Sequence, residues 1–119
     1  MDRIAVRGHL PLKFWSGRVA DEDAERGRAG KLYREFLRVP AMSAGLYVLA
    51  AGASDPQKPH AEDEMYYVVR GRAHVSAGAE DCEIFAGSVL FVAAHVEHRF
   101  YDIREELAVL VFFAPAESS

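Results

Sequence analysis

The segment at residues 52–71, GASDPQKPHAEDEMYYVVRG, contains the residue types of this chain that are best suited to chemistry. His60, Glu62 and Glu64 lie two residues apart, just ahead of an apolar run that ends at a glycine. In a β-strand, side chains two residues apart point to the same face of the sheet, so these three polar groups would converge. An imidazole and carboxylates are typical ligands of divalent transition metals. The segment therefore predicts one half of a metal site.

The later sequence AAHVEHRF supplies two more histidines, His95 and His98, as candidates for the other half. Their separation is odd, so a strand would place them on opposite faces and only one of them beside His60. The alternative is that His60 and the acidic residues after it form an ordinary polar loop that enters a strand. The metal site is favoured because a buried carboxylate is unfavourable without a cation or a hydrogen-bond partner.

The composition limits the classes of protein to which the chain can belong. Half of its 119 residues are hydrophobic, which is enough for one domain with a single core. The net charge of -4 and the scattered Lys and Arg residues argue against nucleic-acid binding, which requires clustered basic residues. No apolar run approaches the roughly 20 residues that span a bilayer, and the N-terminal MDRIAVRGHLPL lacks the pattern of a signal peptide. Cys82 is the only cysteine, which excludes a site of several thiolate ligands and suits a cytoplasmic location.

The second two-thirds of the chain has the pattern of short β-strands. These segments are rich in Val, Tyr, Phe and Leu, and turn residues separate them. Many short strands at this spacing predict an antiparallel sandwich or barrel. The candidate strands are residues 44–50, 65–70, 72–77, 82–85, 89–93, 97–102 and 107–113.

The first third of the chain has weaker signals. Residues 4–6 and 12–15 are candidate edge strands. Residues 21–28 have acidic side chains early and basic ones late, which predicts a short helix terminated by the glycines at its end. Residues 31–39 fit either a strand or a helix.

Two spacings in the chain resemble the two motifs of the cupin family. The first motif is a glycine, five residues, His-x-His, three or four residues, Glu, six residues and a glycine. The second is a glycine, five residues, Pro-x-Gly, two residues, His, three residues and Asn. The resemblance covers residues 44–115. The matching positions are Gly52, Lys58, His60, Glu64 and Gly71 for the first motif, and Gly87, Ala93, His95, His98 and Asp102 for the second.

This resemblance implies an all-β fold, the antiparallel β-barrel or jelly roll of cupins (a double-stranded β-helix), with a short N-terminal helical segment. Residues 1–43 would form an N-terminal extension with edge strands and the helix, and residues 44–119 the barrel, within one structural domain. The resemblance also implies a homodimer, which the apolar outward faces of the strands could support.

Carried over residue by residue, the family pattern assigns His60, Glu64 and His98 as metal ligands. Lys58 occupies the position of the family's first histidine, and a protonated lysine has no lone pair to donate. Two histidines and one carboxylate are the ligand set of non-haem Fe(II) oxygenases. Fe(II) is therefore the favoured cofactor, with Mn(II), Ni(II), Cu(II) or Zn(II) as alternatives.

The missing histidine leaves the completion of the site open. Glu62 is the first candidate for a fourth ligand, and Gln57 is a weaker one. Alternatively, Lys58 pairs with Glu62 or Glu64 and the pocket contains no metal, because a nearby lysine neutralises the same carboxylates.

Other positions of the two motifs carry structural expectations. His95 replaces a glycine that usually serves a turn, which predicts an unusual backbone conformation there. Asp102 shares the parity of His98 and is expected to orient a ligand. Tyr66, Val68 and Phe100 share the inward face with the ligands and are expected to line the substrate pocket together with Lys58. Two further candidates for this wall are Phe91 and Phe112.

The family resemblance leaves the reaction open, because cupins have many functions. The first hypothesis is a metal-dependent, dioxygenase-type oxidoreductase acting on a small organic molecule that chelates the metal through oxygen. Glu62 or Glu64 would be the catalytic general base on the substrate hydroxyl. The alternatives are a non-catalytic cupin that binds a small ligand, and a metal-independent isomerase or lyase that uses Lys58 and Glu62 as acid and base.

Overall fold

The computed structural model of the chain describes residues 4–5 and 12–118. Within these residues, one helix precedes most of the strands, and the strands dominate the structure. The elements are β1 (Ile4–Ala5), α1 (Val19–Ala29), β2 (Tyr33–Val39), β3 (Met42–Leu49), β4 (Asp63–Ala77), β5 (Glu80–Phe85), β6 (Val89–Val92) and β7 (His98–Ala114).

The strands form a sheet with the order β1-β2-β3-β7-β4-β5, and β6 pairs with β4 outside this path. All pairs are antiparallel except β1 with β2. The two longest strands, β4 and β7, pair along their whole lengths, from Asp63 opposite Ala114 to Ala77 opposite His98. The predicted all-β antiparallel fold with a short helix is confirmed.

Two of the long strands were predicted as separate pieces. Residues 65–70 and 72–77 belong to the single strand β4. Of the candidate strands 97–102 and 107–113, all residues except 97 belong to β7. Gly71, with φ +99°, and Asp102, with φ +49°, bend the chain without ending the pairing. Turn-forming residues inside a paired strand produce irregularities of this kind, which increase the twist of the sheet.

The first third differs from expectation at one segment. Residues 12–15 are not a strand, and Trp15 instead stacks on Phe36 of β2 with ring centroids 5.2 Å apart. The described part of the other candidate, Ile4–Ala5, is an edge strand parallel to β2. The segment 31–39, which fits either a strand or a helix by sequence, contains the strand Tyr33–Val39.

Helix α1 has the charge pattern that its sequence predicts. Acidic residues lie in its first turn and basic ones in its last. Both interact favourably with the helix dipole, whose positive end is at the N-terminus. Gly27 lies inside the helix, and Gly30 ends it with φ +68°, a left-handed conformation that glycine adopts easily. None of the helices within the described residues is long and apolar enough to cross a membrane.

The sheet buries residues on both faces, in two separate clusters. One cluster contains Phe36, Leu46 and Val48, and the segment around Trp15 packs against it. The other cluster occupies the interior of the curved sheet and contains Tyr66 and Val68 together with residues from β3, β5, β6 and β7. Alternation along β4 places its polar residue Glu64 on this interior face.

Candidate metal centre

Three side chains from distant parts of the sequence meet inside the curved sheet. Glu64 comes from the start of β4, His98 is the first residue of β7, and His60 lies in the loop between β3 and β4. Each offers one ligand atom, and these atoms lie within 4.8 Å of one another. Glu64 and His98 are buried, and His60 is partly buried. The structure therefore brings together the three residues that the motif spacing assigns as ligands.

The Glu64 carboxylate has one oxygen with a partner and one without. Oε1 lies 2.8 Å from His98 Nε2, whereas Oε2 is buried and has no hydrogen-bond partner among the described residues. A buried carboxylate oxygen without a partner is costly. A divalent cation bound between these side chains would satisfy it, so the residues present fit a metal ion.

His98 is oriented by a backbone carbonyl. Its Nδ1 lies 2.8 Å from Val96 O and donates to it, which turns Nε2 towards Glu64. Burial disfavours the charged imidazolium, but the hydrogen bonds to Glu64 and to Val96 O outweigh burial and raise the pKa of His98. His98 Nε2 and Glu64 Oε1 thus face each other at a place where a metal ion would compete with a proton.

His60 is oriented by a residue near the C-terminus. Its Nδ1 lies 3.2 Å from Oε2 of Glu117, and its ring packs edge-on against Phe113. The hydrogen bond to Glu117 raises the pKa of His60. A carboxylate that accepts from one ring nitrogen leaves the other free for a metal, a common arrangement around metal-binding histidines. Glu117 lies in the polar sequence AESS and carries no local signal that would have identified it.

Glu62 lies outside the three-residue group. Its Oε2 accepts hydrogen bonds from the backbone N–H and the hydroxyl of Ser118, at 2.9 and 2.6 Å. These bonds help to lower the pKa of Glu62, although burial opposes the charged form. The carboxylate thus holds the C-terminal segment through Oε2, whereas its Oε1 is buried without a hydrogen-bond partner among the described residues. Glu62 as a fourth ligand stays a prediction, and the contact with Ser118 has no signal in the local sequence.

Lys58 is exposed and makes no ion pair with Glu62 or Glu64 within the described part of the chain. The described residues thus show no pairing of Lys58 with either carboxylate, and the metal-free pocket and the acid–base role of Lys58 and Glu62 stay predictions. Asp102 differs from expectation, because its carboxylate contacts His74 and Arg104 instead of orienting His98.

A cavity of about 140 Å³ adjoins the three-residue group. Of the four predicted pocket residues, only Tyr66 lines it. Val68 and Phe100 are fully buried in the core, and Lys58 lies on the surface. Neither Glu62 nor Glu64 is part of the wall, and the carboxylate that lines the cavity is that of Glu117. The lining residues are Tyr33, Tyr47, Gln57, His60, Tyr66, Val111, Phe113 and Glu117.

The phenylalanine in the cavity wall is Phe113, and neither of the two expected residues, Phe91 and Phe112, lines the cavity. Phe91 is exposed, and Phe112 packs against the other core cluster. Phe113 lies opposite Glu64 in the pairing of β4 with β7, and Val111 lies opposite Tyr66, so both share the inward face. Alternation along β7 would have identified them only if the pairing partner of Glu64 had been known.

His95 has the backbone conformation predicted from its place in the second motif. Its φ is +68°, and its side chain is exposed. Its backbone N–H donates to His60 O at 2.7 Å, which ties the turn before β7 to the loop that carries His60. The residue thus contributes to the site through its backbone, and its imidazole is not part of the group.

Comparison with known proteins agrees with this geometry. The model of the cupin domain family matches residues 45–114. An uncharacterized protein of Streptomyces coelicolor is 50% identical over 101 residues, which is 85% of this chain and 96% of that protein.

Solved structures of the same fold are more distant in sequence. An RmlC-like cupin from Shewanella frigidimarina superposes with a TM-score of 0.64 at 24% identity, covering 71% of this chain and 75% of that one. KdgF from a Halomonas species gives 0.63 at 20%, covering 70% and 78%. The DMSP lyase DddQ from Ruegeria pomeroyi gives 0.60 at 20%, covering 66% and 40%. At these identities the likeness concerns the fold, and it confirms the predicted jelly roll.

Proposed function

Because the chain belongs to the cupin domain family, we propose that it is a metal-binding cupin with His60, Glu64 and His98 as ligands. The observation that carries this proposal is the meeting of the three side chains. One of them, Glu64, has a buried oxygen, Oε2, without a hydrogen-bond partner among the described residues. When bound there, a divalent ion supplies Lewis acidity and orients a substrate.

The substrate of this site is proposed to be a small organic molecule that carries oxygen donors. The cavity of about 140 Å³ limits its size, and His60 lies both in the cavity wall and in the ligand group. Tyr33, Tyr47 and Phe113 provide aromatic walls. The hydroxyl of Tyr33 is buried without a partner among the described residues, so it is available to donate a hydrogen bond to a ligand oxygen.

The reaction we propose to test first is a dioxygenase-type oxidation. Two histidines and a carboxylate are the ligand set of non-haem Fe(II) oxygenases, which favours Fe(II) over Mn(II), Ni(II), Cu(II) or Zn(II). Oxygen uptake should be measured on small diketones and catechols with the Fe(II)-loaded protein. Absence of uptake on a metal-loaded protein would favour a lyase or a non-catalytic ligand-binding cupin instead, and the fold neighbours include a protein named as a lyase.

The metal proposal is tested by elemental analysis of protein purified without an affinity tag. We expect near-stoichiometric metal in the wild type and loss of the metal in His60→Ala and His98→Ala. His74→Ala is the matched control, because this histidine lies outside the ligand group on β4. Circular dichroism of each variant checks that it is folded.

Metal binding should also stabilise the folded state of the protein. A ligand at one hundred times its Kd stabilises the folded state by about 2.7 kcal/mol. The midpoint temperature of thermal unfolding of the chelator-treated protein should therefore rise when Fe(II) is added. Full metal content in His98→Ala would contradict the ligand assignment. A wild type that binds none of the five candidate metals after reconstitution would leave a metal-free ligand-binding cupin.

The expected homodimer stays a prediction, and one surface supports it. Met65 and Tyr67 of β4 lie opposite Phe91 and Val89 of β6, and all four side chains are exposed. Adjacent exposed apolar residues often mark an interaction surface. Analytical ultracentrifugation of the wild type and of Phe91→Ser would test whether this face joins two copies.

A further inference from the structure

Gln57, the residue before Lys58, faces the candidate metal site. The lysine side chain is exposed, whereas Gln57 is partly buried and lines the cavity. The amide oxygen of Gln57 lies 3.3 Å from His60 Nε2 and accepts a hydrogen bond from the Tyr66 hydroxyl at 3.1 Å. That hydroxyl is also 3.0 Å from His98 Nε2. The amide oxygen therefore faces the same space as both histidines.

Asp55 determines which end of the amide faces inward. Gln57 Nε2 donates to Asp55 Oδ2 at 2.6 Å. Only the NH2 end of an amide can donate to a carboxylate, so the oxygen must point towards His60. Reversing the amide would lose a charge-assisted hydrogen bond and place two acceptors against each other.

Asp55 is itself fixed from several directions. Its Oδ1 accepts from the Tyr47 hydroxyl at 2.5 Å and from the Gln57 backbone N–H at 3.1 Å, and its Oδ2 accepts from the Phe100 backbone N–H at 2.9 Å. These donors connect the loop to β3 and to β7. The amide oxygen of Gln57 is therefore preorganised by the fold.

The site contains several hydrogen-bond acceptors and one hydroxyl, that of Tyr66, which donates to the Gln57 amide oxygen. Glu117 and Val96 O each accept from the Nδ1 of one histidine, which turns both Nε2 atoms inward. His60 Nε2 then faces the Gln57 amide oxygen at 3.3 Å, and His98 Nε2 faces Glu64 Oε1 at 2.8 Å. Lone pairs that face each other require either extra protons or a shared cation.

We propose that the amide oxygen of Gln57 is the fourth protein ligand of the metal site, and that Asp55 is the positioning residue that aims it. This inference rests on the proposed function of the site as a metal centre. A neutral carbonyl oxygen replaces the imidazole that Lys58 cannot supply and adds no charge. Carbonyl and carboxylate oxygens are suitable ligands for Mn(II), so Mn(II) is the probe ion for the test.

The test is a titration of the chelator-treated protein with Mn(II), in which electron paramagnetic resonance measures the free ion. Gln57→Leu removes the amide oxygen proposed as the metal ligand and keeps a side chain of similar size. The control is the same change at the adjacent exposed residue, Lys58→Leu. We expect Gln57→Leu to raise the Kd for Mn(II) by about 10- to 100-fold and Lys58→Leu to change it less than twofold. An equal Kd in Gln57→Leu and the wild type would overturn the proposal.

Two further measurements separate this proposal from simpler explanations. Asp55→Ala should raise the Kd in the wild-type background but not in the Gln57→Leu background, because it acts through Gln57. Equal effects in both backgrounds would mean a general structural role and would overturn the positioning role of Asp55. A third outcome is that the wild type binds Mn(II), that His98→Ala abolishes this binding and that Gln57→Leu leaves it unchanged. This outcome would support the metal centre and overturn the proposal that Gln57 is its fourth ligand. If the wild type binds no metal, both proposals fail.

Discussion

Replacement of Asp55, a partly exposed residue, should lower the free energy of unfolding by a large amount. Its carboxylate accepts from Tyr47 of β3 and from the backbone N–H of Phe100 in β7, as well as twice from Gln57 in its own loop. Tyr47 and Phe100 are both buried, at 8% and 1% exposure. Asp55→Ala would therefore leave two donors without their acceptor in regions that water reaches poorly.

The expected loss of stability follows from these two donors. A hydrogen bond to a charged group contributes about 1.5–3 kcal/mol. The two together give about 3–6 kcal/mol by this reasoning. Because Asp55 is itself only partly buried and water can replace it in part, we expect about 3 kcal/mol. That is a large fraction of the roughly 5–15 kcal/mol that stabilises a small domain.

The assay is equilibrium unfolding in urea with a chelator present, so that bound metal does not contribute. The matched control is Asp81→Ala, because Asp81 also accepts from a tyrosine hydroxyl, that of Tyr101, at 2.5 Å but is exposed on β5. We expect the control to lose less than about 1 kcal/mol and both variants to keep the wild-type m-value. A loss in Asp55→Ala no larger than that of the control would refute the argument from buried donors.

Two further predictions concern backbone conformation. Gly71→Ala should lose about 3 kcal/mol in urea unfolding, because φ is +99° and the new Cβ would lie 2.2 Å from Glu106 O. Gly27→Ala has open space around it in the helix and should instead gain about 1 kcal/mol, and equal effects of the two changes would contradict this reasoning. His95→Gly should raise the urea midpoint slightly, because φ is +68°, and should leave metal content unchanged. Loss of metal in that variant would mean that His95, and not His98, belongs to the site.

Local periodicity was sufficient to predict part of the site. Glu64, Tyr66 and Val68 share one face because β4 alternates from its first residues, and this alternation is visible in the sequence. His98 was predicted by its place in the second motif, and the structure places its ring beside Glu64. The unusual backbone of His95 was likewise predicted, because the family has a glycine at that position.

Other parts of the site depend on contacts between distant segments, which no local pattern encodes. Phe113 rather than Phe112 faces the cavity because the pairing of β4 with β7 sets the register, and a shift of one residue exchanges the two faces. Glu117 meets His60 only because the chain after β7 folds back over the loop before β4.

The choice between Gln57 and Lys58 shows the same limit within a single loop. The spacing of the first motif points to Lys58, but loop residues have no period that would determine which side chain turns inward. Hydrogen bonds from Gln57 to Asp55, and from the buried donors of β3 and β7 to the same carboxylate, decide it. The sequence by itself therefore determined the fold and the three residues that the two motifs assign, since strand alternation and motif spacing are local properties. The tertiary structure decided the residues around them, because loop conformation and strand register are set by hydrogen bonds between segments far apart in the chain.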